Sequence, residues 1–188
     1  MQQKEVLEGL IKKQFPDESK IIRGLEIGFL RGDLDVHLLN AIPNLNMYTI
    51  DPNPEKPQFI GSIADLPNKV SILDRLHIIE LASDDAVKAL KPFSFDFVWV
   101  DGDHEYEQCY KDIVNYLPLV KKLGMCGGHD IDGIIGGHNI NSTDDNQGAH
   151  PGVRQAVTEV FGGKPADNGD ISINKINLGD DFTWWVYV

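Results

Sequence analysis

Apolar positions along the chain change period several times, and each change marks a new element. Val6, Leu7, Leu10, Ile11 and Phe15 recur at the three-to-four-residue spacing of an amphipathic helix that Pro16 closes, so residues 1–20 read as an N-terminal helical segment. Residues 21–27 read as a strand, followed by a glycine turn. A helix is predicted over residues 34–39, ended by Pro43, and a short strand over 47–50, ended by Asp51-Pro52-Asn53-Pro54. Residues 62–75 carry a helical pattern that Pro67 either kinks or truly begins. Next come a strand at 76–81 and a short helix at 84–90 with Ser83 or Asp84 as its cap. The most apolar strand is 95–100; a helix at 105–120 and a strand of small residues at 124–128 follow.

Strands alternating with helices at this spacing imply parallel βαβ units and an open α/β sheet. The last quarter breaks the alternation. Residues 171–176 and 182–188 are two strand patterns separated by 177–181, a hairpin signal that ends the sheet in an antiparallel pair. A dehydrogenase-type sheet would more often finish with another parallel strand. Trp184 and Trp185 alternate on that last strand, so one faces each side of the sheet.

With 188 residues, 41% of them hydrophobic and 24% charged, the chain fits one soluble globular domain over 1–188. No apolar run reaches the ~20 residues that span a bilayer. Lys4, Glu5, Glu8, Lys12 and Lys13 interrupt the start, leaving no signal-peptide stretch, and the location expected is cytoplasmic. Cys109 and Cys126 are then expected as buried thiols rather than a disulfide. Seventeen basic against twenty-nine acidic residues give a formal charge of −12, which argues against a nucleic-acid partner.

In an open α/β sheet, ligands bind beyond the carboxyl ends of the strands, and polar residues stand there in this chain. Glu26-Ile27-Gly28-Phe29-Leu30-Arg31-Gly32 follows the first strand; Gly28 and Gly32 permit a tight turn and close approach of a ligand. The spacing is not the Gly-x-Gly-x-x-Gly that cradles a pyrophosphate. A carboxylate beside the turn suits a cationic ligand better. Asp51 ends the second strand, where an acidic side chain can bond ribose hydroxyls, although it also fits as the start of an Asp-Pro turn. Ser83 and Asp84 follow the third. Asp101-Gly102-Asp103-His104 ends the fourth strand and His129-Asp130 the fifth. Adjacent parallel strands lie about 4.8 Å apart, so those two clusters face each other across one crevice.

Taken in order, these segments resemble the class I S-adenosylmethionine-dependent methyltransferases. The likeness is greatest to a small bacterial and phage group of methyltransferase family 24 type. The motifs are Glu26 to Gly32, Val100-Asp101-Gly102-Asp103-His104, Gly128-His129-Asp130, and His150-Pro151-Gly152-Val153 opening a helix through Phe161. The resemblance covers roughly residues 20–188. It implies a Rossmann-like, seven-stranded, mostly parallel sheet of order 3-2-1-4-5-7-6 with strand seven antiparallel. It also implies S-adenosylmethionine held by Glu26, Gly28, Phe29, Gly32, Asp51, Ser83, Asp84 and Asp101, and a small-molecule methyl acceptor, a hydroxyl on a sugar or related metabolite.

Two chemistries fit the paired clusters. In the first, by likeness to metal-dependent sugar and catechol O-methyltransferases, Asp101 and Asp130 hold Mg2+ or another divalent cation, with Asp103 or His104 as general base. His129 stands where those enzymes carry a second acidic or amide residue, and as a third ligand it favours Mn2+, Fe2+ or Zn2+ over Mg2+. In the second, without metal, His104 or His129 takes the acceptor's proton directly. Asp103 also fits as a cap of the helix that follows. Residues 131–150, rich in Gly, Asn and Asp and containing His138, read as a mobile lid loop, with His138 and His150 as residues it could bring to the substrate. With about twenty residues before the first strand, the expectation is an acceptor pocket that is open or is completed by a second subunit in a homo-oligomer. Two other readings stand beside the methyltransferase: a nicotinamide-dependent oxidoreductase, and a cofactor-binding module without turnover.

Overall fold

A computed structural model of the chain describes residues 2–131, 134–135, 138–139, 150–161, 176–179 and 181–188. Helix α1 (Gln3–Gln14) precedes strand β1 (Ile22–Ile27). Then come α2 (Asp33–Ala41), β2 (Leu45–Ile50), α3 (Lys56–Ile63), α4 (Lys69–Arg75), β3 (Leu76–Ile79), α5 (Ser83–Ala86), β4 (Phe95–Val100), α6 (Tyr106–Tyr116) and β5 (Val120–Gly128). A two-stranded ladder pairs β6 (Ile134–Ile135) with β7 (His138–Asn139), and α7 (Pro151–Phe161), β8 (Asn177–Leu178) and β9 (Trp184–Tyr187) complete the series.

The main sheet runs β3-β2-β1-β4-β5-β9-β8. β3, β2, β1, β4 and β5 are parallel neighbours, while β9 is antiparallel to both β5 and β8. Leaving the small ladder aside, this is the expected order 3-2-1-4-5-7-6 with an antiparallel terminal pair. Alternation along β4 feeds two cores. Phe97 and Trp99 pack with Leu7, Ile11, Leu38 and Phe59 on one face. Val98 and Val100 pack with Ile113, Tyr116, Val157 and Trp184 on the other. An irregular register between Phe95 and Phe97 puts Phe95 with the second group. Trp184 is fully buried on that side, and Trp185 packs half-buried on the opposite one. Both cysteines are free and buried, one on β5 and one on α6.

The predicted helix at 62–75 is two helices, α3 beginning earlier and α4 beyond Pro67. Pro57 sits in the first turn of α3, where its missing N–H had no intrahelical partner to lose. β5 starts at Val120, four residues before the expected strand, and the residues expected as the hairpin turn instead begin with β8. The strand expected at 171–176 lies, apart from Ile176, outside the described residues. Within the expected lid the described backbone is the β6–β7 ladder, and the remainder of 132–149, like the side chain of His138, lies outside them. Among the described residues no helix is long and apolar enough to cross a membrane.

Candidate active site

A cleft of about 470 Å³ opens at the carboxyl ends of β1, β2, β3 and β4, its walls including Gly28, Leu30, Asp51, Ser83, Asp84, Asp101 and His104. The Gly28 amide donates to the Ile50 carbonyl (2.8 Å) and the Asp101 amide to the Ile27 carbonyl (2.9 Å), tying the three central strand ends together. Gly28 has φ +97°, and a Cβ there would stand 2.2 Å from the Asp101 carbonyl oxygen. Only glycine lets the turn pass so close to β4. Asp51 fastens the turn from the other side. Its Oδ2 accepts the amides of Phe29 (3.1 Å) and Leu30 (2.9 Å), and its Oδ1 accepts that of Asn53 (2.7 Å).

Three residues expected at the cofactor do not face the cleft. The Phe29 ring turns into the core and meets Phe59 edge-on, 5.3 Å between centroids. Gly32 sits behind that ring as the left-handed residue that starts α2. Leu30, which the sequence did not single out, takes the exposed place in the turn. Glu26 lies beneath the floor, 2% exposed, beside the fully buried Asp35 of α2, and accepts a long hydrogen bond from Thr49 (3.5 Å). Burial first, then repulsion from Asp35, holds the Glu26 carboxyl well above its ordinary range; burial pushes Asp35 up to about 6.

Ser83 and Asp84 line the far end of the cleft. Neither caps α5; Ala82 holds the cap position without a side-chain bond. Tyr116 instead donates to the Ser83 carbonyl (2.7 Å), and the Gln108 amide donates to the Ser83 hydroxyl (3.1 Å) and to Asp112 Oδ1 (3.0 Å). Burial pushes Asp112 up to about 6. Gln108 and Asp112 also face the cleft and were not anticipated. Their separation of four residues on one helix was the available signal.

The two strand-end clusters do meet. His104 Nε2 lies 2.8 Å from Asp130 Oδ2 and 3.7 Å from Asp101 Oδ1, and His129 Nδ1 lies 3.1 Å from Asp130 Oδ1. The His104 contacts are ionic in character, since its Nε2 makes no directional hydrogen bond. His129 Nε2 faces the Asp181 carbonyl at 2.7 Å. Contacts from Asp101 and Asp130 push His104 up to about 10. Burial opposes the Asp130 charge, yet His104 and His129 hold that carboxyl well below its usual range. Burial likewise opposes a charged His129, and Asp130 outweighs it and raises the ring. Asp103 Oδ1 accepts the Glu105 amide (2.9 Å), a turn contact at the entrance to α6. One partner arrives from far along the chain: the Gln3 amide of α1 donates to Asp101 Oδ2.

Comparison with known proteins bears on what such a cleft does. A sequence model described as Methyltransferase domain matches residues 25–131, more than half of the chain. No curated protein matches the sequence. Among solved structures, the chain superposes on the O-methyltransferase from Bacillus cereus in complex with SAH with a TM-score of 0.62 and 20% identity, covering 99% of this chain and 80% of that one. A cofactor-bound protein from MTB gives 0.65 at 19% identity, with 98% and 79% covered. A Staphylococcus aureus protein provisionally assigned as a caffeoyl-CoA O-methyltransferase gives 0.67 at 15%, with 98% and 81% covered. At these identities the structural likeness establishes the fold.

Proposed function

Because the chain belongs to the Methyltransferase domain family, whose members are S-adenosylmethionine-dependent methyltransferases, we propose that it methylates a hydroxyl of a small molecule, a sugar or related metabolite. The observation that carries this reading is the cleft at Gly28, bounded by carboxylates at the ends of β2 and β4 and of a size ordinary for small ligands. The fold's likeness to O-methyltransferase structures supports it. When bound, S-adenosylmethionine supplies an electrophilic methyl group on a sulfonium. Gly28 would leave room for the ligand against the turn, Asp51 would receive ribose hydroxyls, and Ser83 and Asp84, with Gln108 behind them, would meet the adenine. Asp101, Asp103, His104 and His129 surround the acceptor. The acceptor hydroxyl would give up its proton to a side chain of this cluster. His104 is held as an imidazolium between two carboxylates, so it serves as a positive anchor, and Asp103 takes the proton.

The donor set at Asp101, His129 and Asp130 fits a divalent cation. One ligand atom from each lies within 4.8 Å of the others. The Asp181 carbonyl engages Nε2 of His129, which leaves Nδ1 as the ligand atom, the arrangement usual for a metal-bound histidine. A nitrogen donor favours Mn2+, Fe2+ or Zn2+ over Mg2+. Such an ion would lower the pKa of the acceptor hydroxyl.

Calorimetry with S-adenosylhomocysteine and with NAD tests the cofactor. Binding of the first and not the second is expected; tight NAD binding with no response to S-adenosylhomocysteine would make the chain a nicotinamide-dependent protein instead. Transfer of labelled methyl to a panel of small hydroxylated acceptors then tests turnover, and cofactor binding without transfer to any acceptor would favour a binding module.

A further inference from the structure

At the far end of the cleft three polar side chains engage one another's hydrogen-bond donors. Gln108, in the first turn of α6, stands four residues before Asp112 on the same helix face, and both line the cleft. Ser83, the first residue of α5, lines it beside them. Little of this group is open: Asp112 is 1% exposed and Ser83 9%. The Gln108 side-chain amide donates to the Ser83 hydroxyl (3.1 Å) and to Asp112 Oδ1 (3.0 Å), one N–H for each. Burial raises the Asp112 carboxyl, and the Ser83 hydroxyl and Gln108 amide, both donors to it, oppose that rise. Tyr116 fixes Ser83 from behind by donating to its carbonyl (2.7 Å).

The orientation of the amide follows. An ionised carboxylate only accepts, so the Gln108 nitrogen turns to Asp112 and its oxygen turns away. That oxygen, Oε1, accepts from no described residue and is not sealed from solvent, so it is open to the cleft that Gln108 lines. With the Ser83 proton and both Gln108 N–H groups engaged, none of the three side chains has a donor left for a ligand. Asp84 beside them adds a further carboxylate. A wall of acceptors holds a donor and repels a carbonyl oxygen. Adenine presents a donor, its N6 amino group, where guanine and hypoxanthine present the acceptor O6.

We infer that Gln108 is a specificity-determining residue of the cleft: its Oε1, aimed by Ser83 and Asp112, accepts the amino group of a 6-aminopurine and excludes a 6-oxopurine. On the reading of the cleft proposed above, that purine is the base of S-adenosylmethionine. Ser83 and Asp84 then meet the base, and Gln108 at the back receives its amino group. Asp112 touches no ligand in this role. It is a positioning residue that acts through Gln108 by holding the amide nitrogen and so turning the oxygen to the base.

The test is calorimetry of the full chain at about pH 8, where Asp112, raised to about 6, is ionised. The ligands are S-adenosylhomocysteine and S-inosylhomocysteine, which differ only in the amino group or oxygen at position 6 of the base. Wild type should bind the first at least about tenfold more tightly. Gln108→Met keeps the length of the side chain and removes its oxygen, so it should weaken S-adenosylhomocysteine by about that factor and bring the two ligands close to parity. Asp112→Ala should lower the preference as well, and Asp112→Asn, whose amide oxygen still accepts from Gln108, should restore it. Without any substitution, the carbon-13 resonance of the Gln108 side-chain carbonyl should move when S-adenosylhomocysteine binds. Equal binding of the two ligands by wild type, an undiminished preference in Gln108→Met, or an unmoved carbonyl resonance would overturn the proposal and leave the cofactor reading standing. A wild-type chain that binds neither ligand would overturn both.

Discussion

Gly28 and His104 are fixed by opposite kinds of constraint, one steric and one electrostatic. At Gly28 the backbone is left-handed and a β-carbon would collide with the Asp101 carbonyl, itself held by the β4 strand. Gly28→Ala should therefore cost roughly 3 kcal/mol or more, because backbone strain and a backbone clash act together. Urea denaturation measures it, and calorimetry should show loss of S-adenosylhomocysteine binding; an unchanged urea midpoint would mean the turn can move away. At His104 the neighbours Asp101 and Asp130 raise the ring to about 10. Folding then gains from the proton below the free-histidine value near ~6.5 and loses that gain as pH rises through about 10. Since the side chain is 30% exposed, the contribution is screened and amounts to about 1 kcal/mol. NMR of the ring in the metal-free chain should show no titration between pH 6 and about 8; a midpoint near 6.5 would show that the carboxylates do not hold the proton.

Helices tied by a single side chain show where the sequence was readable and where it was not. The Arg75 guanidinium at the end of α4 donates to the carbonyls of Leu39 (2.7 Å), Ile42 (3.0 Å) and Leu45 (3.0 Å). It thereby satisfies the Leu39 carbonyl that α2 leaves open at its carboxyl end, where no basic residue of its own stands, and ties that end to the cap residue Ile42 and to β2. Arg75→Met keeps the stem and removes those bonds, so a loss of about 1–3 kcal/mol is expected, with faster amide exchange in α2. Exchange in α2 that stays at wild-type rates would contradict this. Nothing in local spacing announces such a tie. The strand periods announced β1, β2 and β4, and the polar residues at their ends marked Gly28, Asp51, Asp101 and His104, because strand ends and site coincide in this architecture. Gln3 reaching Asp101 across 98 residues has no counterpart in local pattern. Glu26 and Asp35 are each exposed by type; only the tertiary packing that sets Asp35 of α2 beside Glu26 of β1 buries both. The Phe29 ring likewise turns into the core rather than the cleft, a direction that apolar type alone does not announce.

An acidic chain with several buried carboxyls should respond to pH as a whole, and the sign of each contribution can be assigned. Asp35 and Asp112 are raised to about 6, and Glu26 stands well above its ordinary value. Unfolded, all three titrate near ~4, so above ~4 the native chain holds the extra protons and stability falls as pH rises, for Asp35 and Asp112 through about 6. Asp130 works in the other direction: its carboxyl is lowered, so its contribution is complete above ~4 and lost on acidification. The His104 contribution fades at the alkaline end, and self-repulsion at a formal charge of −12 adds to that decline. The metal-free chain should therefore melt highest at about pH 4–5 and lower at about pH 8, the reverse of a protein whose carboxylates are mostly paired. Asp112→Asn separates burial from general charge. Its amide oxygen still accepts from Gln108, while the buried proton no longer matters. The variant should melt above wild type at about pH 8 and with it at about pH 4, flattening the profile. A wild-type melting temperature that climbs steadily from pH 5 to about 8, or an Asp112→Asn chain parallel to wild type throughout, would show that these carboxyls are charged in the folded state and that the floor of the cleft is wetter than its packing implies.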